Sequence, residues 1–339
     1  MWNALCDFLA SIIGLINGVV GNYGVSIILF TILIKGCLTP LDLKSRRSMR
    51  RMAAINPKME ALKKKYANDQ QKLNQKIQEL YKEEKISPLA GCLPMLLTMP
   101  ILFAMFTAMR NVANIELVKQ YLQMIHGRVP ATEAFLWIRN LWMPDSFAAP
   151  VMPDFNSLRA IGQEVWVRVS QDLVNAGTLA PDTLLAFADK AAFDAFIAGI
   201  QNAITTAPNY VAYLQPVPGW QNVSMLLFSF SVFVKNNGYF VLPLFATASQ
   251  YLSQKLMTPT TGAPAAAADP SANPSAATGK TMMMLMPLMS LFFCATSSSA
   301  FAIYWVASAL VATAQQVAFN RYFTWEEKKS AIAGEVGIK

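Results

Sequence analysis

The chain has 339 residues, 54% of them hydrophobic and only 14% charged, whereas soluble domains carry about a quarter charged residues. That deficit excludes an ordinary soluble globular protein and points to lipid as the solvent. The formal net charge of +8 would suit a nucleic-acid binder if it were spread over one surface. Its distribution along the chain decides otherwise, and no direct DNA binding is expected.

The four cysteines, Cys6, Cys37, Cys92 and Cys294, show no CxxC or ligand spacing, and three lie in apolar runs. They read as small core residues, with neither a metal site nor a disulfide framework. Residues 1–21 are apolar but punctuated by Asn3, Asp7, Ser11 and Asn17. They read as an amphipathic helix lying in the outer interface. Only five residues precede Cys6 and no signal-peptide core fits there, so its lipidation is not expected.

Five segments meet the requirement of about 20 mostly apolar residues to cross a hydrocarbon core of ~30 Å. They are residues 22–41, 89–110, 238–257, 281–298 and 300–320, the last two joined by a tight helical hairpin near Ser299. The expected fold is therefore an all-α integral membrane protein of five transmembrane helices. Between the first two spans, residues 42–88 are basic. Met49, Met52, Ile55, Met59 and Leu62, then Leu73, Ile77, Leu80 and Tyr81, recur there at helical spacing. Two amphipathic helices folded as a hairpin would bury those stripes and leave outward a basic face of Arg46, Arg47, Arg50, Arg51, Lys63, Lys64 and Lys65. A solvated loop that only sets topology is the plainer alternative.

Residues 111–237 form the second long connection. Their stretch VSMLLFSFSVFV (223–234) is too short to span, since twelve helical residues reach only ~18 Å. It is assigned to the interface or to an outer subdomain that also holds the amphipathic run DTLLAFADKAAFDAFIAGIQNAI. Residues 258–280 are rich in Ala, Pro and Ser and read as a disordered tether, and residues 321–339 as a short tail. The 42–88 loop holds 13 Lys and Arg against 6 Asp and Glu, whereas residues 110–237 hold 8 against 9. Lys255, Lys280, Arg321, Lys328 and Lys329 mark the same side as the basic loop. The positive-inside rule then places the N-terminus outside and the C-terminus in the cytoplasm.

Catalytic chemistry finds little support. The single histidine, His126, lies outside the spans, no paired carboxylates occur within them, and no phosphate-binding loop is visible. No catalytic residue, metal or cofactor is expected. Lys35 is the charged side chain inside the first apolar run, with Thr31 one turn earlier on the same face. Intramembrane charge is costly and usually faces a polar cavity. Snorkelling to the cytoplasmic surface fits its position equally well.

The third span carries Thr247, Ser249, Gln250, Ser253 and Gln254, either as interhelical hydrogen bonding or as the opposite wall of a hydrated groove. Tyr304 and Trp305 suit an aromatic belt, and Gln315 and Gln316 read as interfacial. The methionines at the start of the fourth span, with Met95, Met99 and Met105 of the second, suit either ordinary packing or an adaptable apolar surface.

The stretches YGVSIILFTILIKGCLTPLDLKS, NPKMEALKKKY, SPLAGCLPMLLTMPILFAMF, FLWIRNLWMPD, VLPLFATASQYLSQKLM and MMMLMPLMSLFFCATSSSAFAIYWVASALVATAQQ resemble the YidC/Oxa/Alb membrane protein insertases. The GCLP-x5-P pattern of Pro94 and Pro100, which would shape the second helix, is specific to that resemblance. It implies five helices around a hydrophilic groove open to the cytoplasm and lipid, into which the polar segment of a client is drawn. The family's positive charge, usually Arg, falls here on Lys35. Thr31, Tyr304 and Trp305 match positions that line the groove or touch clients.

The resemblance further implies an insertase and chaperone, not an enzyme, in a bacterial plasma membrane. Nascent membrane proteins, the ribosome and the Sec translocon are its implied partners. Two departures stand out: an outer insertion of about 80 residues between Asp145 and Tyr239, and a tail whose charges nearly cancel, which shifts any ribosome contact to the basic loop. A small-solute transporter is the competing reading, but it favours inverted repeats that this sequence lacks.

Overall fold

The computed structural model describes residues 2–84, 93–125, 128–153, 155–187, 189–206, 208–225, 228–261 and 274–335. Among them, four helical stretches are long and apolar enough to cross a membrane: Trp2–Val20, Tyr23–Lys65, Met99–Ile125 and Ser299–Lys329. The first covers the segment expected in the interface. Residues 241–257 and 281–296 are helical as well, the latter including the shorter apolar helix Leu285–Thr296.

Helix α1 (Trp2–Val20) buries Cys6, Leu9 and Ile13, an i, i+3, i+7 stripe, and the Cys6 thiol hydrogen-bonds with Thr107. Gly21 ends it with φ +72°, the left-handed conformation that suits glycine. Asn22 then caps the next helix, its side chain accepting from the Val25 amide at 3.1 Å. Helix α2 (Tyr23–Ala54) runs 32 residues, through Pro40, and reaches about 48 Å, well beyond the hydrocarbon thickness. Helix α3 (Asn56–Lys65) carries Pro57 in its first turn, and α4 (Gln70–Glu83) is capped by Asp69, whose carboxylate accepts from the Lys72 amide at 2.9 Å. Helix α5 (Leu93–Ile125) contains Pro100.

The chain divides into two compact units, the first comprising Met1–Phe30, Ala104–Phe245 and Leu291–Trp305. Within it Asn140, Asp145 and Asn237 form a buried polar knot. Asn140 donates through Nδ2 to Gln120 Oε1 at 2.9 Å and to the Val151 carbonyl at 2.8 Å. Asn237 donates to the carbonyls of Asn140, Met143 and Pro144 and accepts from the Asn140 amide at 2.7 Å. Ser299 donates through Oγ to the Met143 carbonyl at 2.7 Å.

Asp145 accepts from the Tyr239 and Leu242 amides at 2.9 and 2.6 Å and from the Trp137 indole at 3.2 Å. A carboxylate there satisfies open amides at the start of α10 (Val241–Thr261) and opposes the positive end of its dipole. Phe240, the residue before that helix, sits at φ +65°. Gly238 lies so close to Asp145 that a Cβ would overlap Oδ1. Gly238→Ala should therefore destabilise by about 1–3 kcal/mol, the range for overpacking, seen as a lower thermal midpoint in detergent.

The outer insertion belongs to this unit. Helices α6 (Phe155–Arg159), α7 (Gln163–Asn175), α8 (Lys190–Thr206) and α9 (Pro208–Val211), with a 3-10 turn over Pro181–Phe187, make up most of it, and Trp166 of α7 is fully buried. Its ring lies 5.8 Å from Phe196, 6.5 Å from Phe193 and 6.0 Å from Tyr121 of α5. The insertion is thus anchored to a long apolar helix through aromatic packing. Strands β1 (Val223–Met225) and β2 (Phe228–Phe230) pair antiparallel, Val223 opposite Phe230. The alternation of Phe and Ser in FSFS favours this extended form over a short helix. The chain returns to the knot when the Val151 amide donates to the Lys235 carbonyl and the Asn237 amide to Ala149.

The second unit comprises Thr31–Phe103, Ala246–Ser290 and Val306–Lys339. It holds parts of α2, α5, α10, α11 (Pro274–Thr296) and α12 (Ser299–Glu335), together with α3 and α4. Helices α3 and α4 meet through a Lys58–Glu84 ion pair and the Tyr81 hydroxyl, which donates to Met59 sulfur at 3.4 Å. Ile55, Leu73 and Leu80 are buried beside them.

Candidate functional site

Thr31, Lys35, Thr39, Asp42 and Arg46 follow one another at intervals of four, four, three and four residues, so they form one stripe along α2. Thr31 is 1% exposed and Lys35 half-buried. Asp42 attracts the Lys35 ammonium and Arg46 repels it. Among the described residues, no salt bridge involves Lys35. The stripe is therefore a line of polar groups with a net positive character inside an apolar helix.

The backbone of this stripe is altered by Pro40, which has no amide hydrogen to offer the Gly36 carbonyl and whose ring crowds it. Side chains supply bonds to the preceding turn. The Thr39 hydroxyl donates to the Lys35 carbonyl at 2.8 Å. Gln315 of α12 donates through Nε2 to the same carbonyl at 3.2 Å and to Thr39 Oγ1 at 2.8 Å.

Helix α12 continues along α2 below this point. The Arg46 guanidinium lies 5.2 Å over the Phe319 ring and that of Arg50 4.7 Å over Phe323. Arg47 pairs with Glu326 at 3.3 Å and Arg50 with Glu327 at 3.2 Å. Each of these exposed pairs contributes under about 1 kcal/mol. Their regular spacing on α12, at 319, 323, 326 and 327, aligns the two helices more than any one of them holds them.

Arg46, Arg47, Arg50 and Arg51 therefore lie on a continuation of α2 rather than on the basic face of a separate loop hairpin. The run DLKSRRSMRRMAA contains no helix breaker before Pro57, so the first helix does not stop at the end of its apolar part. Arg46, Arg47 and Arg50 lie against α12, Arg51 is exposed, and Lys63, Lys64 and Lys65 occupy the last turn of α3.

On α10, Gln250 and Gln254 are half-buried, and Ser253 and Ser249 are buried. Tyr304 and Trp305 belong to the first unit, where they pack around Phe301 at 6.2 and 5.5 Å, and Phe301 meets Phe106 of α5 at 5.0 Å. Pro94 lies in the first turn of α5, a position that tolerates proline, and Pro100 is exposed further along it. Cys6 and Cys294 are buried, but Cys37 is exposed; a helix face that meets lipid keeps apolar residues outside. Cys92, His126 and residues 262–273 of the expected tether fall outside the described residues, while its ends, 258–261 and 274–280, are helical as parts of α10 and α11 rather than disordered. Among the described residues no group of His, Cys, Asp and Glu could hold a metal ion.

Sequence reasoning overlooked Gln315 as a partner of the Lys35 turn. Pro40 was the available signal, since a proline within an apolar helix implies that a neighbour satisfies the loosened backbone. The Asn140–Asn237–Asp145 knot was also missed, because Asn237 lies 97 residues from Asn140.

The family model described as 60Kd inner membrane protein matches residues 15–182 and 193–328 of the chain. The chain is 45% identical over 156 residues to the membrane protein insertase YidC of Fusobacterium nucleatum, covering 46% of this chain and 67% of that protein. It is 35% identical over 153 residues to that of Clostridium perfringens, covering 45% and 57%. Against that of Chlorobium limicola the figures are 38% over 162 residues, 46% and 25%. The chain thus spans from a quarter to two thirds of the length of these relatives.

Proposed function

This chain belongs to the 60Kd inner membrane protein family, the YidC/Oxa insertases, and on that premise we propose that it inserts nascent membrane proteins into the inner membrane of a bacterium and chaperones them there. In this reading α2, α5, α10, α11 and α12 are the five membrane spans and α1 an outer interfacial helix. The N-terminus lies outside and the C-terminus in the cytoplasm. A groove open to the cytoplasm is lined by Thr31, Lys35, Gln250, Ser253 and Gln254. Tyr304 and Trp305 serve as client contacts on their own account. Helices α3 and α4 form a cytoplasmic hairpin that offers Lys63, Lys64 and Lys65 to the ribosome, with the Sec translocon as a further partner.

The observation that carries this reading is the half-buried Lys35 ammonium on a polar stripe within an apolar helix. A charge in that position is costly unless it faces water or a partner, and Asp42 further along the stripe attracts it without forming a salt bridge among the described residues. A transient partner fits the role: the acidic segment of a client on its way across. Taking unsatisfied polar groups through hydrocarbon costs several kcal/mol each, and a hydrated groove shortens the dry path. Burial of the client's ~20 apolar residues in lipid then drives the step without a nucleotide.

Expression of the chain in bacteria depleted of their own insertase tests the proposal. Growth should return, and a reporter client should again become accessible to protease from outside. A chain that accumulates in the membrane yet leaves the client uninserted would refute it.

A further inference from the structure

The Lys35 carbonyl accepts two side-chain donors, the Thr39 hydroxyl and Gln315 Nε2, and the same Gln315 nitrogen also reaches Thr39 Oγ1. The three groups close a small network on the turn that precedes Pro40. Helix α2 is weakest there, because Pro40 breaks the ladder at Gly36 and crowds its carbonyl. A turn with an incomplete ladder can tilt or stretch, and any change in it moves the Lys35 side chain, whose Cα lies within it. Gln315 is the part of this network contributed by another helix. It ties the turn to α12, which is itself held in register with α2 further down by the Arg46–Phe319 and Arg50–Phe323 contacts.

We propose that Gln315 is a positioning residue for Lys35: by bonding the Lys35 carbonyl and the Thr39 hydroxyl it fixes the α2 turn and so the depth at which the ammonium meets an acidic client segment. The inference rests on the reading of Lys35 as the charge that attracts clients. A glutamine that only glued two helices together would matter equally to every client. A glutamine that sets the position of a charge matters most to clients whose polar segment carries Asp or Glu.

The experiment compares two clients that differ only in their translocated segment, one acidic and one with those residues replaced by Asn and Gln, in cells depleted of the resident insertase. Gln315→Met keeps the length of the side chain and removes its donor. Thr39→Val removes the hydroxyl and keeps the shape. Each should lower insertion of the acidic client about three- to tenfold, the scale of one lost hydrogen bond, and change the neutral client by less than about twofold. Thr39→Ser should restore the loss seen with Thr39→Val. The double variant should be no worse than either single one, because both remove the same network.

Equal losses with both clients, at normal protein levels, would reduce Gln315 to a packing role and overturn the proposal. If both variants handle the acidic client normally while Lys35→Glu does not, the proposal fails and the charge reading stands. If Lys35→Glu is also without effect, both fail.

Discussion

Lys35→Glu is expected to lower insertion of clients with acidic translocated segments by tenfold or more, whereas Lys35→Arg retains most of it. Two unit charges about 4 Å apart interact by roughly 4 kcal/mol at an effective dielectric of 20. Reversing one sign turns that attraction into repulsion of similar size, and screening by water in the proposed groove still leaves more than the ~1.4 kcal/mol that makes a factor of ten. Arginine keeps the charge and adds a planar fork of donors. If attraction is all that Lys35 supplies, the two residues are interchangeable; if the compact ammonium is needed, arginine falls short. Protease protection of a client with an acidic segment reads the outcome. Equal activity of the Glu and Arg variants would remove charge from the mechanism, and a loss confined to neutral clients would point to a damaged fold.

Asp145→Ala is expected to cost several kcal/mol of stability. The carboxylate is buried and accepts from two backbone amides and the Trp137 indole. Alanine leaves three donors without an acceptor, and each orphaned buried group costs about 1–3 kcal/mol. That sum is a large share of the 5–15 kcal/mol by which a typical domain is stable. Asp145→Asn keeps one acceptor oxygen, and its amide adds a donor facing other donors, so it should fall between wild type and Ala. The thermal midpoint of the purified protein in detergent measures the effect. Cleavage by protease near residue 238 should rise in parallel, because the start of α10 loses its cap. A midpoint unchanged in Asp145→Ala would mean that neighbouring carbonyls or water take up the three donors.

Much of the helical layout was legible because the bilayer imposes a length and a composition on every helix that enters it. Of the expected runs, residues 23–41, 93–110 and 300–320 each fall within a longer helix, α2, α5 and α12. The lengths of those helices were not legible. The sequence rule marks where the apolar part stops, whereas the backbone continues through LDLKSRRSMRRMAA until proline intervenes. The two-stranded pairing at Val223–Phe230 was obscured by a high apolar content, which is the same for a buried strand and a short helix. Lys35 stood out because a charge in an apolar run is conspicuous in one dimension. Gln315 did not, since a glutamine near a helix end has an ordinary explanation until its partner on another helix is known.

Composition and pattern alone therefore determined the solvent, the helical character and the residue whose charge is out of place, because each depends on a residue and its neighbours along the chain. Tertiary structure alone decided which carbonyl Gln315 reaches, that Asp145 caps a helix more than ninety residues later in the chain, and that Arg46 and Arg50 lie on the rings of α12. Hydrogen bonds and ring contacts act over a few ångströms of space and are indifferent to separation along the chain. No local pattern encodes them until the helices are packed.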